Sequence, residues 1–389
     1  MTRQVAYINK KMLLWARKTV SLSVALASEK IGVTMQKLEQ WEDENSLEYP
    51  TVTQLYKIAS VYKRPFAVFY FPEPPKHFKP LKDFRKFQLQ QPLSEQDEYI
   101  LQKEILLFQR KREIAIDLHE QLEIEPAKFN LKGSISENPQ KLAEEIINYL
   151  DIDHNKIIDT DPGYDALNFW KALLESKGIL IFQTTGVPLN VMRGACVARD
   201  TLPIIIINSN DSQNGRIFSL FHELVHIALR EDGISNFRFS NRNLYDQIEI
   251  YCNQVAAEIL VPSTFLLNTS IVTSHRTGNN WSISELIELS KHFCVSQEVI
   301  LRRLLSLNKT SNSVYYEFRS KHQFDERKKT SGGDYYRNII AKNGVLYLNL
   351  AIQGYYQNIL TASSLSDFIQ IKISNLPKLE QHLYAKVQH

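Results

Sequence analysis

His222, Glu223 and His226 form H-E-x-x-H inside the apolar run Phe218-Ser-Leu-Phe-His-Glu-Leu-Val-His-Ile-Ala-Leu-Arg230. A four-residue step is a little more than one helical turn, so both imidazoles share a face and reach one metal ion, with Glu223 one residue round. That geometry suits zinc. In hydrolytic sites zinc takes three protein ligands and keeps a fourth position for water, whose pKa it lowers towards neutrality; Glu223 is then the general base. With ten histidines in 389 residues, an accidental match has odds of about one in a hundred. The surroundings argue further. Ile217, Leu220, Phe221, Leu224, Ile227 and Ala228 make the segment a buried helix, where two histidines and a glutamate are costly without a metal.

A third ligand has to come from elsewhere in the chain. Metzincins take a further histidine six residues past the second one, within H-x-x-G-x-x-H; that position is Asp232 here, and Leu229 stands where glycine should be. The remaining economical source is a carboxylate on a later helix, the gluzincin arrangement. Tyr245 to Pro262 reads as an amphipathic helix on which Glu249 shares a face with Cys252, Ala256 and Ile259, while Glu258 faces the other way. Asp246 lies on the same inward face and is the second choice, or the partner of a ligand histidine. An acid near a helix start is also favoured on the surface, which remains the alternative for Glu249.

The elements that position these residues can be read upstream. Ala166 to Ser176 forms a helix ended by Lys177-Gly178, and Ile179 to Phe182 a short buried strand. Met192 to Ala198 and Leu202 to Asn208 supply two more strands, so a small sheet precedes the metal helix. In gluzincin-type peptidases a sheet edge beside this helix receives substrate as an added strand. The strand ending at Asn208 is either that edge or a core strand.

The first eighty residues form a separate helical bundle. Helices are expected at Met12 to Lys18, at Ser23 to Ile31 with a stop at Gly32, at Met35 to Glu42 capped by Thr34, and after Pro50 with Thr51 or Thr53 at its start. Leu38 and Trp41 point inward, and Gln36, Lys37 and Gln40 outward. Ile31-Gly-Val-Thr, Leu38-Glu-Gln-Trp-Glu and Pro50-Thr-Val-x-x-Leu-x-x-Ile-Ala-x-x-Tyr resemble the Cro/lambda-repressor type of helix-turn-helix domain over residues 8 to 70. The resemblance implies that Thr34, Gln36, Lys37 and Gln40 face the major groove of duplex DNA. Val24 and Ala25 depart from it where a polar residue usually meets phosphate. Glu39, Glu42, Asp43, Glu44 and Glu48 also crowd the third helix and the turn after it, which weakens binding to phosphate. A protein-docking or purely structural bundle is the competing reading.

A wider resemblance covers residues 165 to 305. Gly178-Ile-Leu-Ile-Phe, Arg193-Gly-Ala, Pro203-Ile-Ile-Ile-Ile-Asn208, the H-E-x-x-H run and Glu249-x-x-Cys-Asn-x-x-Ala-Ala-Glu-Ile-Leu-Val-Pro262 look like the ImmA/IrrE family of metallopeptidases. It implies zinc held by His222, His226 and Glu249, Glu223 as base, and substrates that are often helix-turn-helix repressors. Cys252 departs from the family's usual alanine and reads as a packed thiol. Members with their own N-terminal helix-turn-helix domain resemble the chain further, through Pro72-Glu-Pro-Pro and Lys82-Asp-Phe-Arg85; some are paired with a toxin and act as regulators or antitoxins.

Composition agrees with a globular chain. With 43% hydrophobic residues and a net charge of +3, it can bury more than one core, and the charge permits nucleic-acid contact without demanding it. The start lacks a signal-peptide core and no run is long enough to span a bilayer, so a cytoplasmic protein without a membrane partner is expected. Three scattered cysteines suggest neither a disulfide framework nor a cysteine zinc knuckle.

The fold expected is mostly α with a small β-sheet (α+β): a helix-turn-helix bundle at 1–72, a helical connector at 73–164, a gluzincin-like catalytic core at 165–307, a polar linker at 308–334 and a helical C-terminal region at 335–389. The tail binds a partner or covers the cleft. The function expected is a zinc-dependent endopeptidase acting on a repressor-like protein. The alternative is a DNA-binding regulator or toxin-partnered antitoxin whose zinc site is structural or sensory. Arg193, Tyr245 and Tyr251 are the candidate oxyanion donors.

Overall fold

Ser, Thr and Asn caps delimit most helices of this chain. In a computed structural model, residues 4–75, 94–158, 161–230, 242–276, 278–321 and 334–384 are described, with the backbone alone at 157–158 and 242–246. They fall into two units, Met1–Lys111 with Gly186–Met192, and Arg112–Thr185 with Arg193–His389.

In the first unit, Asn9 caps α1 (Lys10–Thr19), Ser23 caps α2 (Val24–Ile31) and Thr34 caps α3 (Met35–Glu42). Thr51 and Gln54 cap α4 (Val52–Tyr62) reciprocally, which satisfies two backbone amides at once. Leu13, Ala16, Ile31, Leu38, Trp41, Leu55, Ile58 and Tyr62 close the core between them, with Phe69 from the 3-10 turn Phe66–Tyr70. Arg17 grips Glu42 through two bonds of 2.8 and 2.7 Å, tying α1 to the end of α3. The long α5 (Glu95–Gln121) adds Tyr99 and Leu106 to the same core. Lys82 to Arg85 lie outside the described residues.

The second unit is built around three strands. Helices α6 (Pro139–Leu150), α7 (His154–Ile158) and α8 (Tyr164–Ser176) lead into β1 (Leu180–Thr184), followed by β2 (Gly194–Val197) and β3 (Ile204–Asn208). The sheet order is β1-β3-β2. β3 runs parallel to β1, from Leu180↔Ile204 to Thr184↔Asn208, and antiparallel to β2, from Gly194↔Ile207 to Val197↔Ile204. The strand ending at Asn208 is therefore central, and the reading of it as a substrate edge is corrected. Ile204 to Ile207 are all buried because both faces and both edges of β3 are covered. β2, an edge strand of the sheet, packs on the helix that carries His222 and His226.

Helix α9 (Gln213–Ala228) packs on β2, β3 and α8, and α10 (Arg242–Leu260) lies against α9 and α6. Two short helices, α11 (Ser263–Asn268) and α12 (Ser270–Ser274), lead to α13 (Ile283–His292) and α14 (Gln297–Ser306), joined at Val295. Residues 308–334 were expected to be a linker. Instead Asn312–Lys321 form α15, because Tyr315 is buried and its hydroxyl bonds to Arg302 and Glu298 of α14. Residues 322–333 lie outside the described residues.

The C-terminal helices α16 (Tyr335–Asn343), α17 (Val345–Tyr356), α18 (Ala362–Ile369) and α19 (Leu376–Tyr384) complete the unit. α16 packs on β1, and α17 on β1 and α8. Gly344 lies against the Ile181 carbonyl and Glu175, leaving no room for a Cβ. Glu175 accepts the Leu346 amide at 3.1 Å, capping α17 from α8. The tail thus packs against β1, at the opposite side of the sheet from β2.

Candidate metal centre

Helix α9 begins at Ser212, whose hydroxyl accepts the Gly215 amide at 3.0 Å, and runs into the core with almost every residue after Arg216 buried. Trp170 of α8 meets Phe221 edge to face at 4.7 Å and fixes the helix's rotation. That rotation turns His222 and His226 towards α10. Each is 2% exposed, and Glu249 of α10 is 5% exposed.

The three side chains converge. His222 and His226 have their Nε2 atoms 3.0 Å apart. Glu249 places Oε2 at 3.2 Å from His222 Nε2 and Oε1 at 3.3 Å from His226 Nε2. Donors bound tetrahedrally to one zinc at its usual bond length lie about 3.3 Å from one another, so these residues fit a single ion. Among the described residues they are the one cluster of His, Cys, Asp or Glu with metal-ligand geometry. Burial by itself pushes the Glu249 carboxyl up, but the two imidazoles together outweigh it and hold its pKa below the usual carboxylate range. It is the anionic member of the cluster.

Glu223 lies on α9 between the two histidines and is 4% exposed. Its carboxylate rests against Gly194 at the start of β2: a Cβ on that glycine would sit 2.8 Å from Oε1. The acid is therefore backed by the edge strand. Glu258 turns away from the cluster, as its helix position suggests, and joins Arg303 and Ser263 in a buried network.

Two residues that sequence reasoning passed over belong here. Asn253 accepts from His222 Nδ1 at 3.0 Å; it stands one turn past Glu249 on an apolar helix face, a signal that was available. Gly194 had none beyond its place in Arg193-Gly-Ala.

The candidate oxyanion donors fare differently. Arg193 pairs with Asp211 at 3.0 Å, next to the start of α9. Tyr251 faces α6, and burial, aided by Glu137, pushes its hydroxyl up to about 12. The side chains of Tyr245 and Asp246, and the whole of Asp232, lie outside the described residues.

Thr34, Gln36, Lys37 and Gln40 belong to the first unit. All four are exposed on α3, over the buried Leu38 and Trp41. No helix among the described residues is long and apolar enough to cross a membrane.

No curated protein matches the chain. Residues 175–305, about a third of the chain, match the family model for the IrrE N-terminal-like domain, Peptidase M78, a family of metal-dependent peptidases, and the match contains β1, β2, β3, the H-E-x-x-H helix and Glu249.

Proposed function

We propose that this chain is a zinc-dependent endopeptidase that cuts a regulatory protein of the repressor type, with an N-terminal unit that directs it to DNA or to a partner. The observation that carries the peptidase reading is the His222–His226–Glu249 cluster: three buried donors at separations suited to one ion, within the segment that resembles a peptidase family. Zinc held by those side chains would supply an acidified water and a charge to polarise the scissile carbonyl.

The rest of the chemistry belongs to the chain. Glu223 takes a proton from the attacking water and returns it to the departing amine, as a general base and then a general acid. Gly194 brings the backbone of β2 against that carboxylate. An extended peptide added along the outer edge of β2 passes beside Glu223, which is the β-augmentation mode of substrate capture. The repressor-like substrate is supported by the resemblance of the motifs alone.

The experiment is a metal analysis of the purified protein combined with cleavage of candidate repressors by wild type and Glu223→Gln. Zinc retained with cleavage lowered by about 10²–10⁴-fold is expected for loss of a general base. Undiminished cleavage by that variant would remove Glu223 from the mechanism.

A second reading has its own support. α3 presents Gln36, Lys37 and Gln40 outward, the side-chain types that read base edges. Glu39, Asp43, Glu44 and Glu48 are exposed on α3 and just after it and oppose contact with phosphate. On this reading the chain is a DNA-binding regulator or toxin-partnered antitoxin whose metal site is structural or sensory. It requires duplex binding that disappears when Gln36 and Lys37 are replaced, and a partner complex indifferent to Glu223→Gln.

A further inference from the structure

We infer that Asn253 is a positioning residue for the metal centre, holding the His222 ring so that the Nε2 lone pair faces the ion. The inference rests on the metal-dependent reading above and adds a residue outside the ligand set.

The geometry is specific. α10 carries Glu249 and Asn253 four residues apart, so one helix face delivers both a ligand carboxylate and an amide to α9. Asn253 Oδ1 lies 3.0 Å from His222 Nδ1, while Nε2 of the same ring faces Glu249 at 3.2 Å and His226 at 3.0 Å. A neutral imidazole carries one N–H. With that hydrogen donated to Asn253 at Nδ1, Nε2 keeps the lone pair that a metal requires. The reverse tautomer would place an N–H among the ligand atoms and a lone pair against the Asn253 oxygen. Phe218 lies beside the ring, with centroids 6.3 Å apart, and limits its tilt without offering a polar partner. The in-plane direction of His222 is left to Asn253.

The choice of amide has a consequence of its own. Asparagine orients the histidine without adding charge, so Glu249 remains the anion that balances the ion. An aspartate in the same place would orient the ring equally well and make it a more basic ligand.

The test is zinc affinity, measured by competition with a chromophoric chelator on the full-length wild type, Asn253→Ala and Asn253→Asp. Thermal midpoints of the metal-free proteins serve as the folding control. Alanine is expected to weaken zinc binding by roughly 10–100-fold, with the metal-free midpoint little changed, because Asn253 is only half-buried. Aspartate is expected to bind at least as tightly as wild type. Should alanine unfold the protein, Asn253→Gln, whose amide is displaced by a methylene, makes the same comparison. An alanine variant within twofold of wild type overturns the inference, as do alanine and aspartate variants equally weakened. A wild type that binds no zinc would instead sink the peptidase reading itself.

Discussion

Replacing Gly194 with alanine probes the seat of the general base through stability as well as through catalysis. The added methyl would lie 2.8 Å from Glu223 Oε1, 3.1 Å from its Cγ and 3.3 Å from its Cδ. Favourable contacts begin near 3.5 Å, so Glu223 or the strand has to give way by about 0.7 Å. Overpacking of this kind costs about 1–3 kcal/mol. Gly194 is not in the left-handed region, so alanine fits its backbone and returns about 0.4–1 kcal/mol by restricting the unfolded chain. The net expectation is a loss of about 1–2 kcal/mol. In a Glu223→Ala background the obstructing carboxylate is gone, and the same change becomes neutral or slightly stabilising. A double-mutant cycle on the unfolding transition that added zinc shifts therefore gives a coupling of about 1–3 kcal/mol. Cleavage falls as well, since a misplacement approaching 1 Å is worth up to about 10²-fold in rate. A coupling below about 0.3 kcal/mol would refute the contact between strand and base.

Three further outcomes are expected. Arg303→Leu strands Glu258, whose side chain is 10% exposed, and should lower stability by about 3–5 kcal/mol in denaturant titration; a loss below about 1 kcal/mol would show the pair to be dispensable. Burial raises the thiol of Cys294 to about 11 and the hydroxyl of Tyr251 to about 12. The folded state holds both protons more tightly than the unfolded state, so their contribution is complete below about pH 9 and is lost as pH climbs through 11 and 12; thermal midpoints at pH 8 and 11 should diverge, less so in Cys294→Ala. Truncation after residue 333 uncovers Phe182 and Glu175 beneath α16 and α17, and should yield a less stable, aggregation-prone protein with no gain in cleavage; a well-folded and hyperactive truncation would mean that the tail acts as a cover.

Much of this molecule is local. The period of 3.6 placed His222 and His226 on one helix face, put Glu249 on the inward face and turned Glu258 away from it, and Thr34 marked one helix start, with Thr51 one of two candidates for another, without reference to anything distant. Such signals work because backbone amides and apolar stripes must be satisfied wherever the helix lies. Residues 312–321 were less legible: their polar composition reads as linker, and only the burial of Tyr315 against α14 makes them a helix.

Adjacency is another matter. The run Ile204 to Ile207 announced burial, yet a buried strand has the same pattern at an edge as at the centre, and its place between β1 and β2 follows from pairings that join residues far apart in sequence. The same holds for Gly194 against Glu223, for Asn253 against His222 and for Glu175 at the start of α17. Sequence by itself determined which side chains face inward and which chemistry they carry. Tertiary structure decided which of them meet, because periodicity records the direction of a side chain relative to its own helix or strand and holds no information about what stands opposite.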